Sequence, residues 1–165
     1  MSDEILLSPQ GAEKIKEKLN YLKNTRRREL AEKIRKARSL GDLSENAEYD
    51  AAKEEQGKME SKIAQLEATL KQARVVREED VDTDRVNVGS QVTITDKELG
   101  ETFIYTIVGA TEADPARERI SYQSPVGQAL QGEKEGEEVE VRLPGGTATY
   151  VIEKVEWTGG ESEDV

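Results

Sequence analysis

The sequence predicts a two-part, mixed-class protein: a long antiparallel α-helical coiled-coil hairpin, then a small α+β domain. Three observations predict it. Apolar residues recur at heptad-like spacing up to about Arg74, and Pro9 is the only proline in that stretch. Beyond residue 88 the pattern changes to period two, which is the period of a half-buried strand. Charge divides at the same place: 17 Lys/Arg and 17 Asp/Glu fall in residues 1–80, so the whole net charge of -11 belongs to residues 81–165.

The elements follow in order. Ser8 and Pro9 read as an N-cap and first helical residue. The first helix then carries Ile15, Leu19, Leu22, Leu30, Ile34 and Ala37 on one stripe, with Arg26 at the stripe position between Leu22 and Leu30. Gly41 suits a C-terminal cap. A second helix starts within residues 42–46 and runs to about Arg74, with Met59, Ile63, Leu66, Leu70 and Ala73 as its seam. Ala47, Ala51 and Ala52 narrow the hairpin towards its turn. Helices joined by so few residues are antiparallel. A 32-residue arm would measure roughly 48 Å at the α-helical rise. Residues 1–77 are thus expected as the hairpin, with an acidic tip at 41–50, and residues 78–88 as a linker. Residues 89–158 form the second domain. Its strands are marked by Val92 and Ile94, by Phe103, Tyr105 and Ile107 across a turn at Leu99-Gly100, and by Ile120 and Tyr122. Ser124-Pro125 repeats the cap device before a short helix to Leu130. Val139 to Leu143 and Thr149 to Val155 close as a hairpin around Pro144-Gly145-Gly146. Residues 159–165 read as a disordered tail.

Composition excludes several kinds of chemistry. The chain has no cysteine and no histidine. Disulfides, thiolate metal sites, imidazole bases and imidazole ligands are therefore absent. Any metal or acid-base work falls to Asp and Glu. Charged residues make up 36% and aromatics 4%, which favours an extended, highly solvated form over one large core. No apolar run is long enough for a membrane span and no signal-peptide core is visible; a soluble, cytoplasmic monomer is expected.

The turn carries the chemistry. Asp42, Glu45, Glu48 and Asp50 bring four carboxylates to the far end of the arm. Asp42 and Glu45 have the spacing of a capping box, which would commit their oxygens to backbone N–H groups. They are equally suited to Mg²⁺, which is normally held by one or two carboxylates together with substrate phosphates and waters. On that reading they form an incomplete site that a partner finishes. The first helix is basic, with 11 Lys/Arg against three acids from Lys14 to Arg38, so the shaft could follow a polyanion while the tip approaches a cation. Glu48 and Asp50 also fit a solvated helix face, as do Arg26, Arg27 and Arg28. Tyr49 fits packing across the hairpin as well as contact with a partner. Trp157 reads as a cap on the small domain's core.

Residues 41–56, Gly-Asp-Leu-Ser-Glu-Asn-Ala-Glu-Tyr-Asp-Ala-Ala-Lys-Glu-Glu-Gln, resemble the tip signature of the Gre family of bacterial transcript cleavage factors. The similarity extends to Leu7-Ser-Pro-Gln-Gly-Ala, to Ile120-Ser-Tyr-Gln-Ser-Pro-Val-Gly and to Pro144-Gly-Gly, in matching order over nearly the whole chain. The resemblance implies a hairpin that enters the secondary channel of bacterial RNA polymerase. There Asp42 and Glu45 would help hold a second Mg²⁺, and the polymerase would hydrolyse the 3′ end of backtracked RNA. The chain itself would then be no enzyme, and would bind no cofactor by itself. The resemblance makes Asn46, Tyr49, Arg38 and Lys53 tip-shaping or RNA-contact residues. It implies an FKBP-like second domain docked on the polymerase rim, with Ser121, Ser124 and Pro125 in the matching segment. Other readings are an inhibitor of the same architecture, a prolyl isomerase using Phe103, Tyr105, Tyr122, Tyr150 or Trp157, and a plain coiled-coil adaptor.

Overall fold

The computed structural model describes residues 4–39 and 46–161. They form two compact units. One is the helical segment Glu13–Gln72; the other joins the residues up to Ala12 to those from Ala73 onward. The boundary therefore differs from the expected one at residue 77, because a short strand lies at each side of the hairpin. Strand β1 (Ile5–Leu7) pairs in parallel with β2 (Ala73–Val75), in the register Ile5 to Ala73 and Leu7 to Val75. Two β-branched valines, Val75 and Val76, follow the helix here, and such residues favour strand over helix.

In the helical unit, α1 (Pro9–Tyr21) passes through a π-helical turn (Leu22–Arg26) into α2 (Arg27–Ser39), and α3 (Ala47–Gln72) returns. The sequence explains the π turn. The stripe from Ile15 to Ala37 steps by 4, 3, 4, 4, 4 and 3 residues, one residue more than alternating heptad steps allow. A π turn accommodates one extra residue in a helix, so the apolar seam stays in phase on both sides of it. Leu22, Leu30, Met59, Ile63 and Leu66 are buried together, with Ile15 and Leu19 packed against them. Ala52 is fully buried, as the expected narrowing requires.

Four of the basic residues of the first helix, Lys23, Arg26, Arg27 and Lys33, are answered from across the hairpin. Arg26 reaches Glu55 at 2.8 Å and Lys33 reaches the same carboxylate at 3.4 Å. Arg27 grips Glu60 with two nitrogens, at 2.9 and 3.0 Å, and Lys23 meets Glu67 at 3.4 Å. The hydrogen bonds from Arg27 hold the Glu60 carboxyl below the usual carboxylate range. Arg26, at the stripe position, is thus paired along the seam.

The other unit is a five-stranded mixed sheet in the order β5-β4-β3-β7-β6. Its strands are β3 (Ser90–Asp96), β4 (Thr102–Val108), β5 (Arg119–Ser121), β6 (Glu138–Leu143) and β7 (Gly146–Trp157). β5 runs parallel to β4 and the remaining neighbours are antiparallel. Helix α4 (Pro125–Leu130) buries Gly127 and Leu130. Val92, Ile94, Ile107, Val139, Val141, Tyr150 and Ile152 build the core. Phe103 stacks on Tyr105 at 5.8 Å and meets the buried Tyr150 edge-on at 6.3 Å. These aromatic residues are largely used in packing one another.

Two expectations are corrected here. Residues 78–88 are not a linker: Val86 and Val88 are fully buried in the core, and a short 3-10 turn occupies Glu78–Asp80. Of the expected disordered tail, residues 159–160 are held in place, because Gly159 accepts a hydrogen bond from Gln10 N–H at 3.0 Å and Gly160 accepts one from the Arg119 guanidinium at 2.7 Å; residues 162–165 lie outside the described residues. Trp157 covers Gly89 so closely that a Cβ there would stand 2.6 Å from the indole ring.

A buried polar cluster ties the start of α1 into this unit. Ser8 caps the helix as expected, its hydroxyl oxygen accepting the Gly11 N–H at 3.0 Å. The Glu112 carboxylate accepts the backbone N–H of Ser8 at 3.0 Å and of Gly109 at 2.9 Å, and takes the Ser8 hydroxyl proton as well. Arg119 stands 3.8 Å from it.

Candidate functional site: the turn of the hairpin

Asp42 and Glu45 lie outside the described residues, and so does Gly41. The two helix ends from which that connection departs are described in full. Helix α2 ends at Ser39 and α3 begins at Ala47. An α-helix leaves its last four carbonyls and first four N–H groups without helical partners. At the end of α2, the Ser39 hydroxyl donates to Lys36 O at 2.6 Å, and the Asn46 side-chain amide donates to Ala37 O at 2.5 Å. At the start of α3, Asn46 Oδ1 accepts the Tyr49 N–H at 3.1 Å. Asn46 is therefore the N-cap of α3. An Asp42–Glu45 capping box would make Asp42 the N-cap of α3, whereas α3 begins at Ala47 with Asn46 as its cap. Sequence reasoning had a signal for this: Asn is among the strongest N-cap residues and immediately precedes Ala47.

The other expected tip residues follow from that helix start. Tyr49 is half-buried one turn into α3, and the exposed Arg38 at the end of α2 lies over its ring at 5.9 Å. A cation over an aromatic face gains electrostatically from the ring quadrupole. Both roles foreseen for Tyr49 remain compatible with this, since the ring packs across the hairpin and keeps one part in solvent. Lys53 follows Tyr49 by four residues, hence on the same helix face. It is exposed and its ammonium donates to Gln56 at 3.1 Å. An open groove of about 710 Å³ also lies near this end of the hairpin, lined by Lys33, Lys36, Ala37, Ser39, Glu48 and Ala51.

In the second unit, Ser124 caps α4 by accepting the Gly127 N–H at 3.1 Å, and donates its own proton to Ser121 O at 2.6 Å. Ser121 Oγ accepts the Gln123 N–H at 3.0 Å. Both hydroxyl oxygens thus make local bonds, and Pro125 is the exposed member of the three.

The donor chemistry limits what the chain could hold. Among the described residues no group of three or more Asp, Glu, His or Cys could bind a metal ion. The acids of the turn supply oxygen ligands only, in a number that suits a hard cation shared with another molecule. Among the described residues no helix is long and apolar enough to cross a membrane.

Two family models cover almost the entire chain: "Transcription elongation factor, N-terminal" matches residues 5–75, and "Transcription elongation factor, GreA/GreB, C-term" matches residues 81–157. The transcription elongation factor GreA of Alkaliphilus oremlandii is 49% identical over 152 residues, 92% of this chain and 96% of the relative. That of Caldanaerobacter subterraneus is 50% identical over 152 residues, 92% of this chain and 97% of the relative. Among solved structures, GreA factor homolog 1 (Gfh1) of Thermus thermophilus is 25% identical, covering 93% of this chain and 99% of its own, with a TM-score of 0.42.

Proposed function

The chain belongs to the GreA/GreB family of transcription elongation factors, and on that premise we propose that it acts on backtracked bacterial RNA polymerase by bringing Asp42 and Glu45 to the polymerase active centre. The hairpin enters the secondary channel, and the chain stimulates Mg²⁺-dependent hydrolysis near the RNA 3′ end without carrying a complete active site of its own. The observation that carries this reading is the position of the acids. They fall between the end of α2 and the start of α3, at the turn of the hairpin, in a chain whose only metal-ligating side chains are carboxylates.

Mg²⁺, when bound between protein and RNA, stabilises the attacking and leaving oxygens of an in-line phosphoryl displacement. The chain's own part is to present two oxygen ligands at the end of an apolar-seamed arm and to add cations beside them. Arg38 and Lys53, flanking Tyr49, are placed to meet the phosphates of a displaced RNA end, and the half-exposed ring offers a face for a base. Since α3 is capped by Asn46, its N3 amide needs no oxygen from the two acids. The exposed Pro125 segment and its neighbours Ser121 and Ser124 are the proposed docking edge of the second unit.

The test is cleavage of 3′-labelled RNA in arrested elongation complexes. Asp42→Asn together with Glu45→Gln should leave polymerase binding intact and lower stimulated cleavage on the order of 10²-fold, the loss expected when several kcal/mol of charge stabilisation disappears. Unchanged cleavage by the double variant would sink the proposal. Slowed elongation with no short RNA product from the native chain would make it an inhibitor of the same architecture.

A further inference from the structure

We infer that Asn46 is a positioning residue for the turn, a clasp that fixes both helix ends at once, and not an RNA contact. This rests on the proposed role of Asp42 and Glu45. The geometry for it is specific. One side chain uses its oxygen to hold the first turn of α3, through Tyr49 N–H at 3.1 Å, and its nitrogen to hold the last turn of α2, through Ala37 O at 2.5 Å. The backbone carbonyl of the same residue accepts the Asp50 N–H at 3.1 Å and starts the helix.

The two anchors are firm. Ala37 is buried in the seam, and Tyr49 is held from above by Arg38 at 5.9 Å. Near the turn the seam is made of small residues, Ala37 and Ala52. Little side-chain volume is available there to keep the two helices in step by interdigitation. A hydrogen bond across the hairpin performs that task in place of a leucine. Both ends of the segment that carries Asp42 and Glu45 are thereby set against each other. Metal ligands need their oxygens held close to one geometry, and an ångström-scale displacement costs up to about 10²-fold in rate.

An amide is the side chain this requires. Serine caps a helix about as well as asparagine, yet is too short to bridge to Ala37. Aspartate also caps but has no proton to donate to a carbonyl. The cap and the clasp can therefore be separated by substitution.

The experiment compares the native chain, Asn46→Ser, Asn46→Ala and the Asp42→Asn/Glu45→Gln double variant. Each is first checked for native helicity by circular dichroism and for polymerase binding by competition with the native chain. Stimulated cleavage is then measured across a Mg²⁺ titration. The expected result is that Asn46→Ser keeps its native helicity and its binding and melts only slightly lower, but loses about tenfold in cleavage at limiting Mg²⁺. Its Mg²⁺ midpoint should move upward, with partial recovery at high Mg²⁺. Asn46→Ala should show the same shift in midpoint together with a lower melting temperature. If Asn46→Ser cleaves with the native rate and the native Mg²⁺ midpoint while the double variant is inactive, the inference is overturned and the reading of the acids stands. If the double variant itself cleaves normally, the reading of the acids fails and takes the inference with it.

Discussion

Removing the Glu112 carboxylate deprives several buried groups of their partner at once. Its side chain is 7% exposed and that of Arg119 is 10% exposed. Glu112→Ala strips the acceptor from two backbone N–H groups, those of Ser8 and Gly109, and from the Ser8 hydroxyl. It also leaves the Arg119 guanidinium with only the Gly160 carbonyl to answer it. Hydrogen bonds to charged groups contribute about 1.5–3 kcal/mol each, and breaking one side of a buried ion pair costs about 3–5 kcal/mol. These effects overlap, so the expected loss is about 4 kcal/mol. Glu112→Gln should cost less, about 2–3 kcal/mol: it too removes the charge opposite Arg119, but its carbonyl can still accept both N–H groups and its amide can donate to Ser8 Oγ. The assay is urea denaturation followed by the fluorescence of Trp157, which lies in the same unit against Gly89. A cycle with Gly11→Ala adds an internal check. A Cβ at Gly11 would stand 2.0 Å from Glu112 Oε1, so that substitution should be better tolerated once Glu112 is alanine. Loss of less than about 1 kcal/mol in Glu112→Ala, or equal losses for alanine and glutamine, would refute the account of this cluster.

The remaining predictions concern the seam and the tyrosines. Leu30 is 1% exposed, so Leu30→Ala should destabilise the hairpin by about 2–5 kcal/mol in thermal or urea unfolding followed by helicity. Glu60→Gln, which breaks the surface pair with Arg27, should shift the same transition far less; equal shifts would mean that the ion pairs, not the apolar seam, hold the helices. Burial raises the Tyr105 phenol, with smaller contributions from Tyr150 and Glu118, and burial followed by Asp96 and Glu101 raises Tyr150. Because both fold with phenols that ionise above the unfolded value, the stability they contribute is complete below about pH 10 and is lost as pH rises through the folded-state values. Absorbance at 295 nm should show that Tyr105→Phe with Tyr150→Phe removes the most alkaline part of the titration; removal of its earliest part instead would contradict the assignment.

The helical stripe, the period-two strands and the caps at Ser8 and Ser124 were legible in sequence because each is a local pattern. A cap needs only the next three residues, and a stripe repeats within one element. The features that escaped are those whose partner lies far along the chain. Ile5–Leu7 is too short to display a period, and its mate begins at Ala73. Nothing in the local run Ala110-Thr111-Glu112-Ala113 marks Glu112 as buried, because its partners include Ser8, 104 positions away. Val86 and Val88 read as linker because the surrounding residues are polar, yet both fill the core. The π turn was present in the spacing around Arg26 but needed α3 to show that the extra residue is absorbed and not exposed. At the turn, the sequence identifies which residues belong there, whereas the pairing of Asn46 with Ala37 depends on how α2 ends, which no window confined to α3 contains.

Parallel strands cannot be joined by a tight turn; they need a crossover connection. Between Leu7 and Ala73 that crossover is the helical hairpin itself. Its 65 residues, if left as an open loop, would cost about 4 kcal/mol in closure entropy. Folded as two antiparallel arms, the hairpin brings its own ends together and removes most of that cost. The hairpin is therefore also what allows β1 and β2 to meet, and a mutation that loosens its seam lengthens the loop this strand pair must close.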